Sequence, residues 1–380
     1  MSRVSSVSVC VARVPLDHVT SFATRTVRAR EYCLVKVRSV DGVEGIGFCY
    51  AGTAGGNIVR VAVEDLLGPM LIGEESTRVE GLWEEMYREA LLHGRTGSVM
   101  RAISCLNNAL WDLNARTACL PLYRYLGCWA KDRVPAYASG GYYLDGKTPH
   151  ALGEEVASYV QQGFKAVKIK VGRYTPVEEE ERVRAAREAI GPDVHLMLDA
   201  NNAWADLPTA LLYCQRFERY QPYWIEEPFS PDDIDNHSQL AARTSIVVAT
   251  GEIEAGRWRF KELLDKRAAG ILQTDAAVCG GISEWRRIAQ TATSYGVKVS
   301  PHWFHDLHVH LVASVPNGHY VEYFPDDQVL NFRRLINRQL ETANGNLVLP
   351  QSPGLGFEFD EHALGKYAVS GAGPTWAVIQ

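Results

Sequence analysis

The chain has no C-x-x-C pair, no run of like positive charge and no apolar stretch of membrane-spanning length. Its eight cysteines (Cys10, Cys33, Cys49, Cys105, Cys119, Cys128, Cys214 and Cys279) are scattered through 380 residues. That spread excludes a disulfide framework of the kind that staples small secreted domains, and most of these thiols are expected as small buried hydrophobes. The balance of 45 acidic against 39 basic residues, a formal charge of -6, lacks the electrostatic footprint of a nucleic-acid binder. Without a basic patch the chain is also a poor match to an anionic membrane. The opening MSRVSSVSVCVARVPL lacks the uninterrupted apolar stretch of a secretion signal. The expectation is a reduced, cytoplasmic enzyme with a small-molecule partner and neither a nucleic-acid nor a membrane partner.

Hydrophobic residues make up 46% and charged residues 22% of the sequence, an ordinary globular balance. The length asks for two domains or one large one. The pattern changes near residue 130. Before it, EYCLVKVRSVDGVEGIGFCY reads as two β-rich runs joined at Asp41-Gly42, and helical patterns follow at about 60–72, 77–92 and 98–116. Strands followed by helices point to an α+β unit. After it, eight short apolar runs alternate with helical patterns: VPAYASGG, AVKIKVG, VHLMLDAN, YWIEEP, IVVATGE, GILQTD, VKVSPHW and HYVEYF. A spacing of mostly about 20–30 residues is the period of a β/α barrel.

In such barrels the chemistry sits at the C-terminal strand ends, which open into the loops of one face. The second run ends in Lys168-Ile169-Lys170, and strand alternation puts both ammonium groups on one side. The next ends carry Asp199 with Asn201, Glu226-Glu227, Glu252, Asp275 and His302, and the last run carries Glu322. Asp199, Glu226 and Glu252, from three successive strands, suit a hard divalent cation such as Mg²⁺. Lysines flank this trio on one side and a histidine on the other.

Those residue types suit removal of a proton α to a carboxylate. The product enediolate carries a second negative charge, which a cation stabilises by several kcal/mol. A positioned base adds roughly 10²–10⁴-fold. Lys168 is expected to depress the pKa of Lys170, its neighbour of like charge. Asp275 is expected to orient His302. Glu322, if protonated, would donate a hydrogen bond to the enediolate oxygen.

With ALWDLNARTACLPLYRYLG, GFKAVKIKVG, LMLDANNAW, WIEEP, ATGE, QTDAAVCGGISE, SPHWFHDLHVHL and PGLGFEFD, the chain resembles the mandelate racemase subgroup of the enolase superfamily over essentially its whole length. The resemblance implies an α/β fold, a modified (β/α)₇β TIM-like barrel with an α+β cap. The cap would span residues 1–130, completed by the tail from about 346 to 380, and the barrel 131–345. It implies Mg²⁺ on Asp199, Glu226 and Glu252, with Lys170 as one base. Lys168 would support Lys170 and contact the substrate carboxylate, and His302–Asp275 would be the second base. Glu322 would be the electrophilic helper and Asn201 a substrate contact. A homo-oligomer is implied as well.

HDLHVHL is similar to acid-sugar dehydratases of this subgroup, the galactarate/talarate type among them. The expected reaction is therefore dehydration of a hexonate or hexarate to a 2-keto-3-deoxy acid, with a racemase or epimerase as the alternative. A non-catalytic binding protein on the same fold stays as a third, remote expectation. Glu227 is expected to point away from Glu226. His302, His305, His308 and His310 invite a zinc site, which the helical spacing of the last two argues against. His305 is instead a candidate to reach the pocket, as are Trp303 and Phe304, and Ser139, Tyr142 and Tyr143 after the first barrel strand. Specificity is expected in the cap segments 17–26 and 51–57.

Overall fold

The two β-rich runs joined at Asp41-Gly42 become strands β2 (Thr26–Ser39) and β3 (Glu44–Tyr50) in the computed structural model. It describes residues 2–326, 329–369 and 375–380. Gly42 turns the corner at φ 85°, which a side chain would strain. An additional long strand, β1 (Val4–Ser21), pairs antiparallel with β2. Its alternating serines and Pro15 give it a weak strand signal, which hid it from sequence reasoning. The last paired positions, Thr20↔Val27 and Ser21↔Thr26, carry this hairpin out to the mouth of the barrel.

Helices α1 (Val79–Ala90) and α2 (Gly97–Thr117) match two of the expected helical stretches. The stretch expected at 60–72 is broken into an α turn (Gly56–Val61), a π turn (Ala62–Leu67) and a 3₁₀ turn (Gly68–Leu71). Pro69 cannot donate to an α ladder, which accounts for the break. Helix α2 lies unusually close to β3 because Gly45 and Gly47 face it. A Cβ at either would sit 2.2 Å from Ala109 O or 2.0 Å from Cys105 O. Asp112, fully buried on α2, accepts the Ile46 and Leu355 amides and pairs with Arg116, so its charge is satisfied.

All eight later runs form parallel strands of one barrel. They are β4 (Arg133–Ser139), β5 (Ala166–Lys170), β6 (His195–Asp199), β7 (Trp224–Glu226), β8 (Val247–Thr250), β9 (Ile271–Leu272), β10 (Lys298–Val299) and β11 (Val321–Tyr323). β11 pairs with β4, and a Val299–Gly318 bridge completes the circle. A helix follows each of the first seven strands: α3 (Pro149–Gln161), α4 (Pro176–Ile190), α5 (Leu207–Phe217), α6 (Ile234–Ala241), α7 (Arg257–Asp265), α8 (Gly281–Ser294) and α9 (His305–Val312). Local chemistry starts several of them. Thr175 and Glu178 form a reciprocal capping box before Pro176, and Asp206 caps α5. Val167, Ile169, Leu196 and Leu198 pack outward on the helices, while Tyr137, Met197, Trp224 and Ala249 fill the barrel interior. That alternation leaves Lys168 and Lys170 pointing inward.

The C-terminal segment touches both layers. After β12 (Thr342–Ala343), β13 (Asn346–Val348) pairs with barrel strand β4, whereas β14 (Ala377–Ile379) pairs with β1 of the cap. Cap and barrel are also joined at the start of α8. Its free amides at Ile282 and Ser283 donate to Asn108 and Asn107 of α2, and Gly280 N–H donates to Ser104 Oγ. All eight cysteines are free thiols, six of them buried and Cys119 and Cys128 exposed. Among the described residues, no helix is long and apolar enough to cross a membrane.

Candidate active site

Strand register sets the centre of the site. Lys170 lies beside Asp199, and Asp199 beside Glu226, across β5, β6 and β7. Residues paired in a parallel ladder project to the same face, so these three form one row at the barrel mouth. Glu252, Asp275 and His302 lie two or three residues past the ends of β8, β9 and β10, in the loops rather than on the strands. Their side chains come back over the same mouth. The resulting cavity of about 560 Å³ is lined by Lys170, Asn201, Glu252, Asp275, His302 and Glu322 from the barrel, together with residues of the cap.

The charges are densely paired. Lys168 Nζ lies 2.6 Å from Glu226 Oε1, 2.8 Å from Glu322 Oε1 and 3.5 Å from Asp199 Oδ2. Lys170 Nζ donates to Asp199 Oδ2 at 2.5 Å and faces the rings of Tyr142 and Phe22. His302 Nδ1 lies 3.1 Å from Asp275 Oδ2, which turns Nε2 toward Glu252, 3.6 Å away. The Ala277 amide donates to Asp275 Oδ1 at 2.7 Å, and the His308 ring packs beside that oxygen with Nε2 3.3 Å away. The Asn201 amide donates to Asp199 Oδ1, and its carbonyl accepts from Thr24 of the cap.

These contacts revise two expectations. Burial opposes the charged form of Lys170, but Asp199 and Tyr142 outweigh both burial and the like charge of Lys168, so its pKa is raised, not depressed. Burial would keep Glu322 protonated, yet Lys168, His302 and Lys170 pull its pKa below the usual range. Glu322 is therefore a carboxylate, and one oxygen accepts the Trp303 amide at 2.8 Å. Burial lowers the pKa of His302, but Glu252 and its bond to Asp275 raise it to about 9. For Asp275, burial pushes upward and the two histidines pull the carboxyl well below its ordinary value.

Glu227 also departs from expectation. Its backbone takes φ 42°, a left-handed turn that brings a residue from the far side of the strand back to line the cavity. Burial and then Glu252 push its pKa well up. The Glu-Glu-Pro motif was the only signal of it in the sequence. His308 was missed because helix periodicity assigns it no partner. It reaches Asp275 from α9, while its Nε2 accepts the Ala276 amide at 3.0 Å.

Among the secondary candidates, Tyr142 and Trp303 line the cavity, and the cap supplies Thr24 and Thr53 from the two segments expected to set specificity. Tyr143 does not; its hydroxyl bonds Glu179. Ser139 is buried off the lining, and Phe304 packs among Tyr32, Phe48 and Phe332. His305 is fully buried against Asp306 and Tyr323 and does not reach the cavity.

The donor set fits a hard cation. Asp199, Glu226 and Glu252 offer only oxygens, and Glu252 Oε2 is buried without a hydrogen-bond partner. The six carboxyls of Asp199, Glu226, Glu227, Glu252, Asp275 and Glu322 outnumber the two lysines and His302 that face them. Burial and then Asp199 accordingly push Glu226 well above its ordinary pKa. Among the described residues no three side chains are yet drawn into a ready-made metal cluster. The ammonium groups stand between the carboxylates as their counterions.

Residues 4–127 match the mandelate racemase/muconate lactonizing enzyme N-terminal domain, and residues 151–363 match the enolase C-terminal domain-like family. An arabinonate dehydratase from Saccharolobus solfataricus is 34% identical, with 89% of this chain and 90% of that protein aligned. The L-talarate/galactarate dehydratase from Salmonella typhimurium is 34% identical over 87% of this chain and 81% of its own. Its crystal structure superposes with a TM-score of 0.91 at 30% identity, covering 100% of this chain and 93% of that one. An L-talarate dehydratase from Polaromonas sp., crystallised with Mg and L-glucarate, gives a TM-score of 0.88 at 30% identity over 100% and 99% of the two chains.

Proposed function

The chain belongs to the mandelate racemase/muconate lactonizing enzyme family of the enolase superfamily, and from that premise we propose that it dehydrates a sugar acid to a 2-keto-3-deoxy acid. The observation that carries this is the placing of two candidate proton-transfer groups, Lys170 and His302–Asp275, on either side of one carboxylate row in one cavity.

Asp199, Glu226 and Glu252 would hold Mg²⁺. When bound, it supplies Lewis-acid stabilisation of the charge that grows on the substrate carboxylate. Lys168 contributes a fixed positive charge beside that carboxylate and keeps Glu322 ionised. Lys170 gives up its pairing with Asp199, the main contact that raises its pKa, and loses its proton to solvent; the free amine then takes the proton from C2, and the electrons of that C–H bond move into the enediolate. His302, oriented by Asp275, delivers its proton to the hydroxyl on C3, which leaves as water. The resulting enol tautomerises to the 2-keto-3-deoxy acid. Asn201, which links Asp199 to Thr24 of the cap, presents its unpartnered Oδ1 as an acceptor for a substrate hydroxyl.

A panel of hexonates and hexarates, incubated with the Mg²⁺-loaded protein and assayed with a carbonyl reagent for 2-keto-3-deoxy products, tests this. Product that disappears with EDTA and in Lys170→Ala is expected. The two-sided arrangement also suits a racemase. Exchange of the α-proton with solvent, without any keto product across the panel, would move the assignment to that chemistry.

A further inference from the structure

Among the described residues, the arginines at the cap end of the cavity have no ion-pair partner. Arg30 and Arg101 rise from the cap into the cavity wall, with Arg25 beside them on the loop between β1 and β2. Arg30 is only 2% exposed. Its Nε donates to Val329 O at 2.8 Å and its Nη1 to the Tyr50 hydroxyl at 3.3 Å, and the guanidinium lies over the Trp303 ring at 4.5 Å. Arg101 donates to Tyr50 O at 2.9 Å. Every one of these partners is neutral. Among the described residues, no carboxylate forms an ion pair with Arg25, Arg30 or Arg101.

A buried guanidinium without an anion is costly, because hydrogen bonds to neutral groups do not replace the water it has lost. Among the described residues, the other buried arginine, Arg182, is paired with Glu179, which shows how such a charge is treated elsewhere in the fold. Arg30 is held rigidly by its stacking and by two hydrogen bonds, leaving further N–H donors for a ligand. Trp303 stacks on His302 at 5.5 Å, so Arg30 stands one ring away from the reacting end, and Arg25 and Arg101 line the same cavity.

Resting on the proposed function, we propose that the arginine end is a second anion subsite, and that the substrate is a dicarboxylic sugar acid rather than a monocarboxylic one. One carboxylate sits over Asp199, Glu226 and Glu252, and the other is received by Arg30 and Arg101, with Arg25 completing the pocket from its loop. A planar carboxylate matches the guanidinium fork, and the charge-assisted bonds are the stronger for being shielded from water.

Binding separates this from the reaction. Calorimetric titration of Mg²⁺-loaded Lys170→Ala with matched probes, galactarate against galactonate and glucarate against gluconate, gives the diacid-to-monoacid affinity ratio. At least one pair is expected to favour the diacid by more than about tenfold, as suits two charge-assisted bonds. Arg101→Gln and Arg25→Gln, which leave the buried Arg30 stack in place, are expected to reduce that ratio severalfold. Arg30→Lys keeps the charge but loses the fork, and is also expected to reduce it. Equal affinities in both pairs, no diacid binding, or a ratio that all three variants leave unchanged would overturn the subsite. Tighter binding of 6-phosphogluconate than of glucarate would overturn the carboxylate assignment. Arginine-dependent diacid binding without turnover by the unsubstituted protein would remove the proposed reaction and leave the subsite standing.

Discussion

The barrel mouth and the cap wall enclose the same cavity but are built by different rules. On the barrel side, each candidate group sits on a strand or within three residues of its end, in the order of the chain. Its lysines and His302 are each paired with carboxylates of the same mouth. On the cap side, the groups come from a hairpin tip, a strand interior and a helix, and the arginines there face neutral partners. A repeated architecture confines chemistry to predictable positions, whereas a cap reached by loops is free to vary the ligand it accepts. Under the proposed function, the barrel side carries the reaction class and the cap side chooses the substrate.

The sharpest break of that division is at the barrel. Lys170→Ala and His302→Asn are each expected to lower kcat by about 10²–10⁴-fold while leaving the circular dichroism spectrum unchanged. If either kept full activity on the true substrate, the two-sided assignment would be wrong. Asp199→Asn is expected to weaken Mg²⁺ binding by more than about tenfold, since even an outer-shell partner costs that much. Titration of the metal checks it, and unchanged affinity would count against the carboxylate trio.

The seam between the two regions gives smaller effects. Asn108→Ala leaves the buried Ile282 amide without its acceptor and frees Ala276 O, next to Asp275. Denaturant unfolding is expected to show a loss of about 1–3 kcal/mol. A fall in kcat at unchanged Mg²⁺ affinity would show that the cap also positions the Asp275 loop.

A pH effect sharpens the same seam. His310 accepts the Tyr123 amide and donates to Leu355 O, so it is neutral when folded. Burial lowers its pKa from 6.5 to about 4. Below pH 6.5 the unfolded chain takes up a proton that the folded chain refuses. Stability is thus undiminished above that pH and falls progressively toward pH 4, by about 2 kcal/mol between pH 7 and 5. The decrement is expected to be smaller in His310→Gln.

The contrast also explains what the sequence disclosed. Period and strand ends exposed the eight barrel strands and brought Lys168, Lys170, Asp199, Glu226, Glu252, Asp275, His302 and Glu322 to one mouth. Those signals are local, because a strand end is marked by a few adjacent residues. β1 stayed hidden behind serines and Pro15. Glu227 was misdirected because alternation cannot foresee a left-handed residue. The protonation of Lys170 and Glu322 depended on distances across strands, which spacing does not contain. Arg30 and Arg101, far apart in the chain, meet only when β2 and α2 close over the barrel.

The most direct test of the account is incubation of the Mg²⁺-loaded protein with the hexarate panel in D₂O, followed by proton NMR. The account predicts that one diacid loses its C2 proton and yields a 2-keto-3-deoxy acid carrying deuterium at C3. Retention of the C2 proton in every member that binds would contradict it.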